Sequence, residues 1–127
     1  MNIGDVSERS GLTDKTIRYY ESIGLVSPLR GDNGYRTFRE SDVHKLIFLS
    51  RARGLGFSIE DCRNLLQLYE NESRSSSEVK SIARQHLRGI DKKIASLQEM
   101  RDSLSVLVDS CAGDSRPDCP ILAHISS

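Results

Sequence analysis

Two cysteines near the end of the chain have the spacing and chemistry of a small metal site. Cys111 and Cys119 are separated by the seven residues Ala-Gly-Asp-Ser-Arg-Pro-Asp, and a loop of this length can bring both thiolates onto one ion. Soft sulfur ligands select soft monovalent ions such as Cu(I), Ag(I) and Au(I) over hard cations. Pro120 suits the first position of a short helix over Ile121–Ile125, so Cys119 would lie at a helix N-terminus that favours its thiolate.

Other roles for the cysteines remain open. A thiol-disulfide enzyme would use a close Cys-x-x-Cys within a βαβ fold, and the sequence has neither, so we do not predict an enzyme. A thiol-redox sensor or a divalent-metal sensor is also compatible with the pair, although zinc would require four ligands. His124 is either a further ligand or an exposed helix residue. Cys62 is either a packed small hydrophobic residue or a regulatory thiol.

Composition limits the compartment and the size of the protein. The chain has 127 residues, 37% of them hydrophobic, and three cysteines, which cannot all pair with one another. No apolar run reaches the roughly 20 residues that a membrane span requires, and no signal peptide opens the sequence. We therefore expect a cytoplasmic protein with reduced thiols.

Positive charge is concentrated in the first half of the chain, although the net charge is zero. Between Lys15 and Gly54, eight basic residues stand against the four acids Glu21, Asp32, Glu40 and Asp42. A local basic stretch of this kind is the footprint of a nucleic-acid-binding surface. The eight basic residues are Lys15, Arg18, Arg30, Arg36, Arg39, Lys45, Arg51 and Arg53.

Two short helices in this basic region predict a helix-turn-helix. The first covers Ile3–Ser10, Gly11 interrupts it, and Thr13 is a good N-cap for a second helix over Asp14–Ile23 that Gly24 ends. The second helix would be the recognition helix, and adjacent tyrosines cannot share one face, so one of the two in it is expected in the core. Its candidate DNA contacts are Lys15, Thr16, Arg18, Tyr19 and Tyr20.

Extended residues around an Asn33-Gly34 turn predict a β-wing over residues 25–38. Its tip and second arm carry donors suited to phosphates, namely Arg30, Tyr35 and Arg36. A third helix over about Glu40–Arg53 follows, with Val43, Leu46, Ile47 and Leu49 facing inward. Arg51 and Arg53 near its end are either further DNA contacts or a solvated helix end. Ser58 starts a fourth helix that runs to about Tyr69.

A heptad pattern dominates the second half of the chain. After a polar hinge over residues 70–77, a helix over 78–108 carries apolar residues at alternating steps of four and three, interrupted only by Arg101. A stripe of this length requires a partner helix, and we expect a second copy of the same one. The predicted dimer interface is formed by Ala83, Leu87, Ile90, Ile94, Leu97, Arg101, Leu104 and Val108.

Three motifs give the chain a family resemblance. Ile17-Arg-Tyr-Tyr-Glu-Ser-Ile-Gly-Leu25, Gly34-Tyr-Arg36 and Arg51-Ala-Arg-Gly-Leu-Gly-Phe57 resemble, in order and spacing, the DNA-binding domain of the MerR family, here over residues 1–69. The resemblance implies a mainly α fold with a winged helix-turn-helix head, a long antiparallel coiled-coil dimerisation helix, and a metal loop with a short helix over 109–127. It also implies a homodimer on a promoter with an overlong spacer, where RNA polymerase acts.

Within that family, the Cys-x7-Cys loop followed by Pro-Ile resembles the copper-efflux regulators and their silver- and gold-sensing relatives. The resemblance implies Cu(I), or Ag(I) or Au(I), as the bound ion. It further implies a metal-bound form that distorts the promoter and activates copper-efflux and detoxification genes, and a metal-free form that represses them. Ser76 stands where, by the same resemblance, divalent-metal sensors carry a third cysteine contributed from the partner subunit.

Overall fold

The computed structural model describes residues 1–126, in two compact units, the first spanning Met1–Ile82 and the second beginning at Ala83. Its mainly helical architecture confirms the fold class expected from the sequence. Within the described residues the elements are α1 Ile3–Ser10, α2 Asp14–Ser22, β1 Leu29–Arg30, β2 Arg36–Thr37, α3 Glu40–Gly54, α4 Ile59–Glu70, α5 Ser76–Ser110 and α6 Pro120–Ser126. None of these helices combines the length and the apolar character that crossing a membrane would require.

The helix-turn-helix is formed by local capping. Asn2 and Asp5 form a capping box at the start of α1, and Gly11 ends that helix with a positive φ of 74°, a conformation that glycine adopts without steric cost. The Thr13 side chain accepts a hydrogen bond from the Thr16 backbone N–H at the start of α2. These caps keep the connection between α1 and α2 short.

The wing is shorter than the sequence pattern suggests. β1 and β2 contain two residues each and pair antiparallel, with Leu29 opposite Thr37 and Arg30 opposite Arg36. Leu25 and Val26, expected in the first arm, are buried in the core instead. Two adjacent buried residues do not fit the alternation of a half-exposed strand, in which successive side chains point to opposite faces.

One hydrophobic core holds the first unit together. It includes the predicted inward residues of α3, except that Ile47 is only partly buried. The buried Cys62 also belongs to it, in agreement with the packing role considered for this residue. The core residues are Val6, Ile17, Tyr20, Leu25, Val26, Phe38, Val43, Leu46, Leu49, Ala52, Phe57, Cys62 and Leu66.

The long helix α5 extends beyond the expected 78–108 at both ends. It starts at Ser76, where the Ser75 hydroxyl accepts the backbone N–H of Ser77, and the hinge is reduced to residues 71–75. Ile82 packs against the core of the head, which explains why the first turns of α5 group with the first unit. No residue of α5 is buried within the single chain.

Candidate metal centre and DNA-binding face

The two cysteines of the loop lie at the ends of two helices. Cys111 directly follows α5, and its backbone N–H donates to the Val108 carbonyl (3.1 Å). Cys119 directly precedes α6, and its carbonyl accepts the Ala123 N–H (3.0 Å). Both thiols are free and half-buried, and the Cys111 side chain is close enough to contribute to a lowered pKa of Cys119. The loop therefore brings together the two predicted sulfur ligands.

The Cys119 sulfur is placed to be a thiolate. Hydrogen bonding from the Leu122 backbone N–H is the largest cause of a lowered pKa of Cys119, and partial burial opposes it. The Ile121 N–H and the Cys111 thiol lower the pKa further. These donors are the otherwise unpaired N–H groups of the first turn of α6. Because a soft metal binds the deprotonated form, the lowered pKa of Cys119 reduces the cost of removing its proton on metal binding.

The residues between the cysteines form an ordered turn. Gly113 has a φ of 66°, in the left-handed region that favours glycine. The Asp114 carboxylate accepts both the Arg116 backbone N–H (3.0 Å) and its Nε (2.9 Å), and Arg116 lowers the pKa of Asp114. Asp114 and Arg116 thus form an ion pair within the loop.

The donor set fits a two-coordinate soft ion. Across residues 1–126, no three His, Cys, Asp or Glu side chains lie together as a metal-binding group. The structure places His124 as an exposed residue of α6 and Ser76 as the first residue of α5. The thiol pair is therefore the donor set that the described chain assembles, and two thiolates suit Cu(I) and its soft relatives.

The recognition helix α2 presents most of its predicted contacts to solvent. Lys15 and Arg18 are exposed, Tyr19 is 47% exposed, and Thr16 is half-buried beside Thr13. Tyr20 is the exception, because only 4% of its surface is exposed. Tyr20 therefore belongs to the core and is not a DNA contact, as expected for one of two adjacent tyrosines. Its ring packs α2 against the rest of the first unit.

The two arginines at the end of α3 have different surroundings. Arg53 donates from Nη1 to the Phe57 carbonyl and lies beside Tyr20, whose pKa is raised by burial and lowered in smaller part by this arginine. Arg53 is therefore engaged at the connection between α3 and α4. Arg51 is exposed and lines a groove with Phe48 and Tyr69.

The wing arginines are bound to a residue that sequence reasoning missed. Glu21, in the last turn of α2, accepts hydrogen bonds from both Arg30 and Arg36. Tyr35 at the tip is 74% exposed. The sequence offers only opposite charges as a signal, since Glu21 is the one acid in the second half of α2 and two arginines follow in the wing; the spacing of these residues does not indicate the contact.

Comparisons with known proteins agree with this geometry. The family model described as "MerR HTH family regulatory protein" matches residues 1–69, and the model "MerR, DNA binding" matches residues 43–107. The HTH-type transcriptional regulator HmrR of Rhizobium leguminosarum bv. viciae is 60% identical over 126 residues, covering 99% of this chain and 98% of that protein.

Two further matches cover almost the whole chain. The HTH-type transcriptional regulator CueR of Salmonella typhimurium strain LT2 is 44% identical over 127 residues, covering 99% of this chain and 92% of that protein. The crystal structure of the transcription regulator PbrR691 from Ralstonia metallidurans CH34 in complex with lead(II) superimposes with a TM-score of 0.87 at 27% identity, covering 98% of each chain.

Proposed function

Because this chain belongs to the MerR family of helix-turn-helix transcriptional regulators, we propose that one Cu(I) ion held by Cys111 and Cys119 controls its action at a promoter. The chain is a metal-responsive DNA-binding regulator and not an enzyme. Ag(I) and Au(I) present the same soft chemistry and would occupy the same pair. The proposal thus concerns which metal acts and how.

The thiol pair carries the proposal. Cys111 and Cys119 lie at the ends of the two helices that flank one short loop, and the Cys111 side chain and the backbone N–H groups of Leu122 and Ile121 lower the pKa of Cys119. Metal binding replaces the thiol protons with the ion, so a thiolate stabilised in advance reduces the cost of deprotonation. When bound, the ion would link the end of α5 to the start of α6.

The exposed stripe of α5 supports a homodimer. Leu87, Ile94, Leu97, Leu104 and Val108 are each more than half exposed in the single chain. A row of large apolar side chains at heptad spacing is stabilised when a second helix covers it. We therefore place an antiparallel coiled coil between two copies at this stripe.

The head would supply two kinds of DNA contact. The exposed residues of α2 would face a groove of the DNA, where Arg18 is suited to a base edge. These residues are Lys15, Thr16, Arg18 and Tyr19. Arg30, Tyr35 and Arg36 on the wing contact phosphates and set the register of the protein on the duplex. Arg51 is a further cation on the exposed end of α3.

The resemblance to copper-efflux regulators supplies the transcriptional step. The metal-free dimer would hold a promoter with an overlong spacer in a repressed form, and the metal-bound dimer would distort it so that RNA polymerase can use it. The genes controlled would encode copper efflux and detoxification. A regulator with this role works where the promoter is, so we place it in the cytoplasm.

A divalent-metal sensor is the second candidate, and one observation favours it. The structure of PbrR691, which superimposes over 98% of this chain, contains lead(II). Against it, this chain has Ser76 where, by resemblance, divalent-metal sensors carry a third cysteine. A serine hydroxyl is a poor substitute for a thiolate on a soft divalent ion.

An anaerobic titration with transcription as readout tests the proposal. The promoter is first selected from genomic fragments by binding to the purified protein. We expect Cu(I) to bind at one equivalent per subunit against a competing chelator and to activate transcription, while Zn(II) and Pb(II) do not. Activation by Pb(II) alone would favour the divalent candidate. Activation by a mild oxidant with disulfide formation, and no response to metal, would favour the redox one.

A further inference from the structure

An acidic residue lies between the recognition helix and the wing. The Glu21 side chain is 17% exposed and accepts Arg36 Nε at both oxygens, at 3.0 and 2.8 Å, and Arg30 Nη2 at 2.8 Å. Arg30 and Arg36 are direct cross-strand partners of the wing. One carboxylate therefore joins both strands of the wing to the last turn of α2.

The way Glu21 binds Arg36 leaves the useful donors of that arginine available. Arg36 bonds Glu21 through Nε, and within residues 1–126 its two terminal amino groups make no hydrogen bond. Arg30 is held more fully, because its Nη1 also donates to the Gly34 carbonyl (2.9 Å) at the wing turn. Arg36 is thus fixed at its inner edge with its outer edge open, a geometry suited to a phosphate.

We propose that Glu21 is a positioning residue for DNA binding: it fixes the wing against the recognition helix and orients Arg36 toward a backbone phosphate. This inference rests on the proposed function in one respect, namely that the wing contacts the DNA backbone. Glu21 itself would not contact DNA.

The direction in which replacing Glu21 changes DNA affinity distinguishes a positioning role from an effect of its charge alone. A carboxylate beside a DNA-binding face repels phosphates, so by charge alone its removal should strengthen binding. If Glu21 acts by positioning, its removal frees the wing, and ordering Arg36 again on DNA costs side-chain and loop entropy. Positioning therefore predicts weaker binding from a substitution that makes the protein more positive.

The test measures metal-free binding to the selected promoter at several salt concentrations. Arg36→Ala should reduce the magnitude of the slope of log K against log salt by about 0.9, the value for one phosphate contact. Glu21→Gln should weaken binding and reduce the slope by a similar amount. In the double variant Glu21→Gln/Arg36→Ala, the slope should equal that of Arg36→Ala alone. Asp14→Asn is the matched charge control, because Asp14 is an exposed acid in the first turn of the same helix.

Each outcome decides one question. Stronger binding of Glu21→Gln, matching Asp14→Asn, would overturn the inference, as would a wild-type slope for Glu21→Gln beside a reduced slope for Arg36→Ala. A wild-type slope for Arg36→Ala would instead refute the wing contact in the proposed function.

Thermal unfolding by circular dichroism checks that the variants fold. If Glu21→Gln does not fold, Arg36→Lys replaces it. Lysine keeps the positive charge but has a single ammonium group, so it cannot bind Glu21 through one nitrogen and present two others to a phosphate, as arginine can. A reduced slope for this variant supports positioning, and a wild-type slope refutes it.

Discussion

Replacing Leu97 tests the connection between the apolar stripe of α5 and promoter binding. Leu97 is 62% exposed in the single chain, and covering a fully exposed leucine side chain contributes about 1.5–3 kcal/mol. A partner helix that covers the exposed part would therefore contribute about 1–2 kcal/mol per chain, or about 2–4 kcal/mol per dimer. Losing that contribution in Leu97→Ala should raise the dimer dissociation constant about 30-fold to 700-fold.

Leu97→Asp should be more severe than Leu97→Ala. It would bring a carboxylate from each chain into an apolar seam without a partner charge, and burying an unpaired charge costs several kcal/mol more. The variant should be monomeric at micromolar concentration. Promoter affinity should fall with the dimer, because one head contacts only a half-site.

Sedimentation velocity between nanomolar and micromolar protein is the assay, with promoter binding measured on the same samples. Gln85→Asp is the matched control, since Gln85 is exposed and lies opposite the stripe in the heptad while acquiring the same charge. It should remain a dimer. A stable, DNA-binding dimer of Leu97→Asp would show that the stripe is not the dimer seam and that the proposed route from metal loop to promoter is mistaken.

Four further predictions concern the site residues. Cys111→Ser or Cys119→Ser should abolish transcriptional induction by Cu(I) and leave promoter binding nearly unchanged, as run-off transcription and gel shifts would measure; full induction at wild-type metal concentrations would contradict the two-thiolate site. His124→Ala should leave the Cu(I) affinity within about threefold of wild type, and a large loss in a competition titration would identify a third ligand. Arg18→Ala should weaken specific binding by about 1–3 kcal/mol and leave non-specific binding close to wild type; equal losses on both DNAs would argue against a base contact. In metal-free protein, iodoacetamide should modify Cys119 at a lower pH than an ordinary thiol, because its lowered pKa populates the thiolate at lower pH. Burial raises the pKa of Cys62 and should protect it. Mass spectrometry after labelling at several pH values measures both, and modification of Cys62 at a lower pH than Cys119 would contradict the prediction.

The fold was predictable where its cause is local. Thr13, Gly11 and Ser58 mark helix ends through their own caps, so the helices of the head could be placed within a few residues. The burial of Tyr20 was also within reach. It follows the fully buried Ile17 by three positions, and residues three apart share a face of a helix. Tyr19 does not share it.

The parts that sequence reasoning missed depend on the third dimension. The contact of Glu21 with Arg36 spans fifteen positions and a turn, and no periodicity indicates it. Leu25 and Val26 have the pattern of a strand but fill the core, because tertiary packing overrides a weak local preference. The cysteine spacing predicted that two sulfurs could meet. The sequence also predicted Cys119 at a helix N-terminus, and the fold added which N–H groups act on it, those of Leu122 and Ile121.

Gly113 has a consequence for how tightly the loop can hold an ion. In the proposed site, an ion bridging Cys111 and Cys119 would link the two ends of the loop reversibly, and its affinity would include the entropy of closing the segment between them. The left-handed turn at Gly113 (φ 66°) and the pairing of Asp114 with Arg116 already restrict the loop. Less conformational entropy would therefore be lost when an ion binds. Affinity for the ion can therefore be adjusted through loop stiffness, without any change in the atoms that touch it.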